Sequence, residues 1–218
     1  PPPPPPPPTF QAEDGIRDVA GCLVGSEMCI RDSLTRALNA HGINAVLVGT
    51  GQTSLILGAF HGVALDAVPA QLNTGELEAA VVKAFEVEAP DVIIVEGQGA
   101  LSHPTYLSSP AILRGSRPQA VILQHAPARR TISDFAAFPM PTPASEINLI
   151  ETFADTKVIG LTINHEHMTD SEVSAAIALY EVELGIPATA ALTRPTDRLI
   201  DMVSAAFPDL QGSPVAAR

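Results

Sequence analysis

DVIIVEGQGAL, residues 91–101, is the stretch that decides the fold of this chain. Four apolar residues, 92–95, run directly into an acid that is followed by two glycines. A short continuous apolar run is typical of a strand buried on both faces of a sheet, as parallel strands are. Because glycines let the backbone approach a ligand closely, the end of this strand is predicted to lie at a binding site.

Further apolar runs of the same form alternate with helical patterns. The runs are INAVLVGT (residues 43–50), AVILQHAP (120–127) and KVIGLTIN (157–164). Amphipathic patterns predict helices at residues 75–90 and 170–184, the second preceded by a capping box, whereas residues 128–143 are predicted to be a proline-punctuated loop. This alternation predicts an α/β fold, a mostly parallel sheet with helices on both faces. Ligands bind at the carboxyl ends of the strands in such sheets.

The composition is that of an acidic globular chain. Its 218 residues include 12 basic and 24 acidic side chains, for a formal net charge of −12, and 46% of the residues are hydrophobic. Because negative charge repels nucleic acid and anionic membranes, neither is expected as a partner. No apolar run is long enough to span a bilayer, and no secretion signal is recognisable. The cytoplasm is the predicted location, and a small-molecule substrate is the predicted partner.

Residues 1–33 differ in character from the rest of the chain. They begin with a run of prolines, and QAEDGIRD (residues 11–18) and LVGSEMCIRD (residues 23–32) match translated adapters of short-read sequencing, in the order in which such a library molecule is built. We therefore expect residues 1–33 to be an artefactual, disordered leader and residues 34–218 to be the α/β domain of a truncated protein. Both cysteines lie in this leader, so disulfides and thiol catalysis are not expected in the domain.

Glu96, the acid that follows the apolar run of residues 92–95, is a candidate catalytic or metal-binding residue. A carboxylate there could hold Mg²⁺ through water or act as a general base. In the alternative interpretation Glu96 caps the turn, and Gly97 and Gly99 only satisfy backbone angles. We favour the functional interpretation.

Polar residues also follow the other predicted strands. GTGQT, residues 49–53, offers N–H groups, an amide and a hydroxyl to a phosphate or a carboxylate. Asp66 is equally compatible with a structural cap and with a ligand contact. His103 and His125 are each expected to donate a hydrogen bond to substrate or backbone.

Basic residues are scarce in this chain, and their positions limit what it can bind. Arg129 and Arg130 form the best available anion clamp, with surface solvation as the alternative. No metal site is predicted, because His165 and His167 alone among the histidines have the spacing of a metal motif, and they fall in a predicted loop. The chain has only two lysines, Lys83 and Lys157, and no GxxxxGK[ST] sequence, so a complete P-loop is excluded.

VGTGQT, DAV, VEGQG followed by HP, QHAPAR and the TIN strand end occur in an order that resembles the carboxy-terminal domain of the DUF1611 family. The resemblance covers residues 34 to about 195. It implies a P-loop-NTPase-like fold whose first strand and P-loop, together with an amino-terminal Rossmann-like domain, would lie upstream and are expected to be missing here. It also implies a set of residues around the ligand: Gly51, Gln52, Thr53, Glu96, Gln98, His103, His125 and Arg129.

The resemblance also implies a function. Some family members are described as D-glutamate or D-amino-acid N-acetyltransferases, and others carry labels such as nucleotide-binding protein or NAD-dependent epimerase. Acetyl-CoA would then be the donor, with Glu96 or His103 as the base and Arg129 on the substrate carboxylate.

Two alternatives remain open at this point. VEGQG is also similar to a strand end of dethiobiotin synthetases, which implies a ligase or phosphotransferase that uses ATP and Mg²⁺ in the full-length parent. In the other alternative the truncated chain is an inactive fragment. A homo-oligomer is expected for the full-length parent.

Overall fold

The structure is a computed structural model that describes residues 17–22, 27–132 and 135–210. Its strands are β1 (Arg17–Cys22), β2 (Ala45–Gly49), β3 (His61–Gly62), β4 (Val92–Glu96), β5 (Ala120–His125), β6 (Thr131–Ile132), β7 (Phe135–Pro139), β8 (Lys157–Ile163) and β9 (Ala188–Thr189). Its helices are α1 (Glu27–Ala40), α2 (Gln52–Ile56), α3 (Asn73–Glu88), α4 (Ser108–Ser116), α5 (Pro143–Phe153), α6 (Asp170–Leu184) and α7 (Asp197–Ala206).

Seven of these strands form one sheet in the order β3-β2-β4-β1-β5-β8-β9. Every described pairing within it is parallel. The predicted α/β class and mostly parallel sheet are confirmed. No helix in the described ranges is both long and apolar enough to cross a membrane.

The sheet is covered by helices on both faces, and the side chains of β4 show how. Val92 and Ile94 pack in one buried cluster with Leu38 of α1, while Ile93 and Val95 pack in the other with Leu77 of α3. Successive side chains of a strand point to opposite faces of the sheet, so a strand between two helical layers is apolar at every position. This explains why residues 92–95 have no polar member.

The two ends of α6 show how local sequence sets the limits of a helix. Thr169 and Glu172 form the predicted capping box at the start of α6, in which each side chain accepts a hydrogen bond from the other residue's backbone N–H. The same helix ends at Gly185, whose φ of 67° lies in the left-handed region that favours glycine.

The central strand β1 corrects one expectation. Arg17–Cys22 lies between β4 and β5 and pairs with both, with Ala20 opposite Val95 on one side and Val121 on the other. The expectation that the sheet lacks its first strand is therefore wrong. Residues 17–22 and 27–33, which we assigned to a disordered leader, belong to β1 and to the first half of α1. The remaining leader residues, 1–16 and 23–26, lie outside the described ranges.

The segment after β5 also differs from expectation. Residues 128–143 were predicted to be a loop, but they contain the antiparallel pair β6 and β7. Prolines can occupy a strand that is not in the middle of a sheet, and the β6–β7 pair stands apart from the main sheet. The pair follows β5 in the chain, after the strand end at His125.

The central position of β1 predicts that the domain cannot fold from Leu34 onward. A chain that begins at Leu34 loses β1, which is one of the two backbone partners of β4 and of β5, so we expect it to be insoluble or to lack a cooperative unfolding transition in circular dichroism. A matched chain that lacks only residues 1–10 keeps every described residue and should unfold cooperatively. A cooperative transition in the Leu34 chain, at the same temperature as the control, would contradict a structural role for β1.

Candidate functional site

The carboxyl ends of the parallel strands bring the predicted site residues to one edge of the sheet. Glu96 ends β4 and His125 ends β5, and β1 separates these two strands. The candidates consequently fall into two groups on either side of β1. One group surrounds Glu96, and the other lies around His125 and the segment that follows it.

Glu96 is the centre of a buried polar cluster. Its side chain is only 7% exposed, and its Oε2 accepts hydrogen bonds from the Thr50 backbone N–H at 2.9 Å and from the Ser54 hydroxyl. Its Oε1 is 2.7 Å from Nη1 of Arg31. Both carboxylate oxygens therefore hold protein donors, and the negative charge is balanced inside the protein.

Arg31, the cation of this pair, comes from α1 and is 4% exposed. Nη1 also donates a hydrogen bond to the Ser54 hydroxyl. Because that hydroxyl in turn donates to Glu96, it links α1, α2 and β4. A buried carboxylate is costly unless it is paired and hydrogen-bonded, and here it is both. The sequence interpretation missed this contact because it set residues 1–33 aside.

The GTGQT segment leads from the last residue of β2 into the first two residues of the short helix α2. Gln98 packs next to Gly51 and donates from Nε2 to the Thr50 carbonyl at 2.6 Å. Gln52 donates to Asp66 at 3.2 Å, so these two predicted ligand contacts meet each other at the surface. The structure thus brings the predicted group of Gly51, Gln52, Asp66, Glu96 and Gln98 together. Thr53 lies on the same helix and is exposed, and Gly97 follows Glu96 and is buried.

The loop after β4 places His103 away from the Glu96 cluster, toward β7. Nδ1 of His103 lies 3.2 Å from the backbone N of Thr105 and 3.3 Å from that of Tyr106. Backbone N–H groups can only donate, so Nδ1 is the acceptor and the proton of the neutral ring is on Nε2. The His103 ring packs against Tyr106 and Phe135. Gly99 is buried beneath Tyr106, whose ring occupies the space that a Cβ would need.

A small cavity of about 40 Å³ lies beyond β5, at the second group of candidates. His125 and Arg129 line it together with Asn164, Glu146 and Met140. Nε of Arg129 donates to Glu166 at 2.7 Å, and Nη2 of Arg129 approaches the same oxygen. The cavity therefore combines an imidazole with a guanidinium.

Glu146 fixes one wall of this cavity. It lies in the first turn of α5, is 5% exposed, and accepts hydrogen bonds from the backbone N–H groups of Leu101 at 3.0 Å and Ser102 at 3.4 Å. The carboxylate thus holds the loop after β4 against the cavity. Sequence reasoning did not find Glu146, because a single acid near the start of a helix is an ordinary pattern.

His125 is held neutral by its surroundings. The side chain is 9% exposed, and the Tyr180 ring meets it edge-on at 5.5 Å between centroids. Burial disfavours the charged imidazolium and lowers the pKa of His125 from 6.5 to about 4. The imidazole is therefore unprotonated at pH 7.

The remaining histidines form no metal site in the part of the chain that the structure describes, where no group of three or more potential ligands is placed to hold an ion. His165 and His167 lie in the segment after β8, and Nε2 of His167 is 3.5 Å from Glu166. The side chain of His167 is exposed to solvent.

A parallel sheet with helices on both faces and polar residues at the carboxyl ends of its strands is an α/β fold of the class in which ligands bind at that edge. A family model described as "Domain of unknown function (DUF1611_C) P-loop domain" matches residues 21–200. The chain belongs to the DUF1611 family.

Two curated relatives share the name D-glutamate N-acetyltransferase. The protein from Tritonibacter scottomollicae is 28% identical over 190 residues, which is 84% of this chain and 56% of the relative. The protein from Pseudoalteromonas sp is 28% identical over 185 residues, 82% of this chain and 54% of the relative. The chain thus spans about half the length of the curated relatives it matches.

Solved structures agree with this fold. A DUF1611 family protein from Anabaena variabilis superposes with a TM-score of 0.81 at 28% identity, over 88% of this chain and 58% of that chain. Chloroplast FtsY from Physcomitrella patens superposes with a TM-score of 0.54 at 17% identity, over 91% of this chain and 67% of that one. The second likeness shows the fold alone.

The Arg31–Glu96 pair predicts a large loss of stability when one charge is removed alone. Arg31→Met leaves an uncompensated buried carboxylate, and we expect the free energy of unfolding in urea to fall by about 3–5 kcal/mol. Glu96→Gln in the same chain should recover part of that loss. The exposed pair of Lys157 and Glu151 supplies the control, because Lys157→Met should cost under about 1 kcal/mol. Equal losses of unfolding free energy in Arg31→Met and Lys157→Met would contradict the prediction that the buried pair matters more than the exposed one.

His125 predicts a dependence of stability on pH. Between pH 6.5 and about 4 the unfolded chain binds a proton at His125 that the folded chain does not, so acidification lowers the free energy of unfolding. The full effect is on the order of 3 kcal/mol, and it is absent above pH 6.5. Urea unfolding at pH 7.5 and pH 4.5 should show a larger drop for the wild type than for His125→Gln. The exposed variant His41→Gln should follow the wild type, and an equal drop in all three chains would contradict the shift.

Proposed function

We propose that this chain is the carboxy-terminal part of an N-acetyltransferase that acts on the amine of a D-amino acid such as D-glutamate, with acetyl-CoA as the donor. The observation that carries the proposal is the cavity beyond β5, which the neutral His125 and the Arg129 guanidinium line together. The curated relatives that match most of this chain bear the corresponding name. Because the chain spans about half of those relatives, the proposal concerns the activity of the whole protein.

Arg129 is the group that would bind the carboxylate of the amino acid. A guanidinium presents five N–H donors in a planar fork that matches a carboxylate. Nε and Nη2 face Glu166, which leaves the second terminal nitrogen for the substrate. The side chain of Arg129 is 20% exposed, so it is open to solvent on one side while its pair with Glu166 holds it in place.

His125 is the group that would accept the proton. The amine nitrogen attacks the thioester carbonyl, a C–N bond forms, and the C–S bond breaks. The amine proton passes to His125 and then to the departing thiolate, which leaves as the thiol of CoA. The imidazole is already deprotonated at neutral pH, and its lowered pKa makes it a weak base that passes the proton on readily to the thiolate.

Glu96 and His103, the bases suggested by the family resemblance, remain predictions. Both oxygens of Glu96 hold donors, one of them the Arg31 guanidinium, and Nδ1 of His103 accepts two backbone N–H groups. A base must offer an unoccupied lone pair to its substrate. We therefore assign the proton transfer to His125 and an anchoring role to Glu96.

Nucleotide-dependent ligase or phosphotransferase chemistry is the second candidate. The position of Glu96 next to β1 favours it, since phosphates bind at the junction of a first strand and its helix in P-loop proteins. The sequence at this junction, residues 21–27 (GCLVGSE), has no lysine, and Arg31 already neutralises Glu96. The residues present do not fit Mg²⁺ at Glu96, and for that reason we rank this function second. The transferase proposal also includes a cytoplasmic location and a homo-oligomeric full-length parent.

Steady-state kinetics with acetyl-CoA and D-glutamate test the first candidate. We expect N-acetyl-D-glutamate by mass spectrometry and equimolar release of the CoA thiol. Arg129→Gln should raise the KM for D-glutamate at least about tenfold, because a charge-assisted hydrogen bond of about 1.5–3 kcal/mol is lost, while the KM for acetyl-CoA stays within about twofold. Arg194→Gln, in an ion pair with Asp170 outside the site, is the matched control and should keep both constants.

Ligand-induced stabilisation separates the two candidates even if the chain is an inactive fragment. A ligand that binds only the folded state raises its melting temperature. An increase with acetyl-CoA supports the transferase. An increase with ATP and Mg²⁺, and none with acetyl-CoA, would reject the transferase and favour the ligase.

A further inference from the structure

Four aromatic rings meet at the carboxyl edge of the sheet, between the loop after β4 and strand β7. The His103 ring lies 4.3 Å from that of Tyr106 and 5.5 Å from that of Phe135, between centroids, and Phe135 lies 6.0 Å from Phe138. The chain has only 2 tyrosines, 7 phenylalanines and no tryptophan, so three of these scarce residues gather at one place. We call His103, Tyr106, Phe135 and Phe138 the aromatic shelf.

The backbone around VEGQGALSHP holds this shelf in position. A Cβ at Gly99 would overlap the Tyr106 ring, so the glycine lets the ring lie directly on the loop. The Ser109 hydroxyl donates to the Gly99 carbonyl at 2.8 Å and fixes that part of the loop. Nδ1 of His103 accepts the Tyr106 N–H at 3.3 Å. Residues that sequence reasoning assigned to ligand contact or catalysis thus build the shelf.

The aromatic shelf is exposed to solvent, although contacts with the loop after β4 hold its rings in place. Tyr106 is 42% exposed and Phe138 is 46% exposed. Rings that serve only to pack two segments together gain most of their stability by burial, and these two remain nearly half uncovered. The shelf is close in the chain to the cavity of His125 and Arg129, because Ala100 and Met140 line that cavity, three residues before His103 and two residues after Phe138.

Charge near the shelf points to an anionic ligand with a flat ring. Arg129 and Arg130 precede β6 directly, and Arg130 is exposed. They are adjacent cations in a chain whose formal net charge is −12. A second copy of the chain is disfavoured as the occupant, because two strongly acidic surfaces repel each other. A heteroaromatic ring that carries phosphates matches both the open rings and the arginines.

We propose that the aromatic shelf binds the purine ring of the acyl-CoA donor, with Arg130 on its phosphates. This inference rests on the proposed function for the identity of the donor. A purine stacked on Tyr106 and Phe138 lies at the entrance of the cavity and leaves the pantetheine arm to reach His125. The shelf then determines affinity for the donor, while the cavity carries out the chemistry.

Binding of CoA and of its fragments tests the proposal directly. Isothermal titration calorimetry on the full chain compares acetyl-CoA, adenosine 3′,5′-bisphosphate and S-acetylpantetheine, which lacks the purine. Tyr106→Leu and Phe138→Leu keep apolar volume but remove a ring. Each should raise the Kd of acetyl-CoA and of the bisphosphate about tenfold, because ring stacking contributes roughly a factor of ten or more per base. The Kd of S-acetylpantetheine should stay within about twofold.

Phe60→Leu is the matched control, because Phe60 is an exposed ring outside the shelf, next to His61. It should bind all three probes like the wild type, and the melting temperatures of the variants show whether they are folded. Acetyl-CoA binding that is unchanged in both shelf variants overturns the shelf, even if acetyl transfer is demonstrated. Shelf-dependent binding without any acetyl transfer supports the shelf and rejects the transferase. Absence of binding by both purine-containing probes overturns the shelf outright.

Discussion

The backbone hydrogen bonds of β1 are the constraint on which the rest of the structure depends. Among the described strands of the main sheet, β1 joins the two halves, with β3-β2-β4 on one side and β5-β8-β9 on the other. Its pairing with both neighbours sets the register that places Glu96 and His125 at the same edge. The Arg31–Glu96 ion pair adds a second link, from the helix that follows β1 to the strand beside it.

Much of the fold could be predicted from the sequence because buried parallel strands have an unmistakable composition. β2, β4, β5 and β8 each contain a run of mostly apolar residues, and the capping box of α6 is a local pattern that needs no tertiary information. β3 and β9 have two residues each, which is too short for a pattern to form. β1 was missed for another reason. Its sequence, RDVAGC, contains Arg17 and Asp18 and so forms no continuous apolar run, and residues 1–33 match an adapter-derived leader.

The site was predictable in position but not in detail. Strand ends place Glu96, Gln98, His125 and Arg129 at one edge, as parallel topology requires. Which of them face a cavity depends on contacts between residues distant in sequence. Ser54 reaches Glu96 across 42 positions and Glu146 reaches Leu101 across 45. No local sequence pattern predicts such pairs. The ion-paired carboxylate of Glu96 and the neutral imidazole of His125 can therefore be recognised only in the folded structure.

The brevity of β3 and β9 bears on how molecules of this protein meet one another. These two strands are the outer borders of the main sheet, and each offers a neighbouring chain only a two-residue ladder of unpaired amide and carbonyl groups. Long uncovered borders promote intermolecular β-pairing, domain swapping and fibril growth. Each border strand is therefore too short to serve by itself as the template for a long intermolecular ladder.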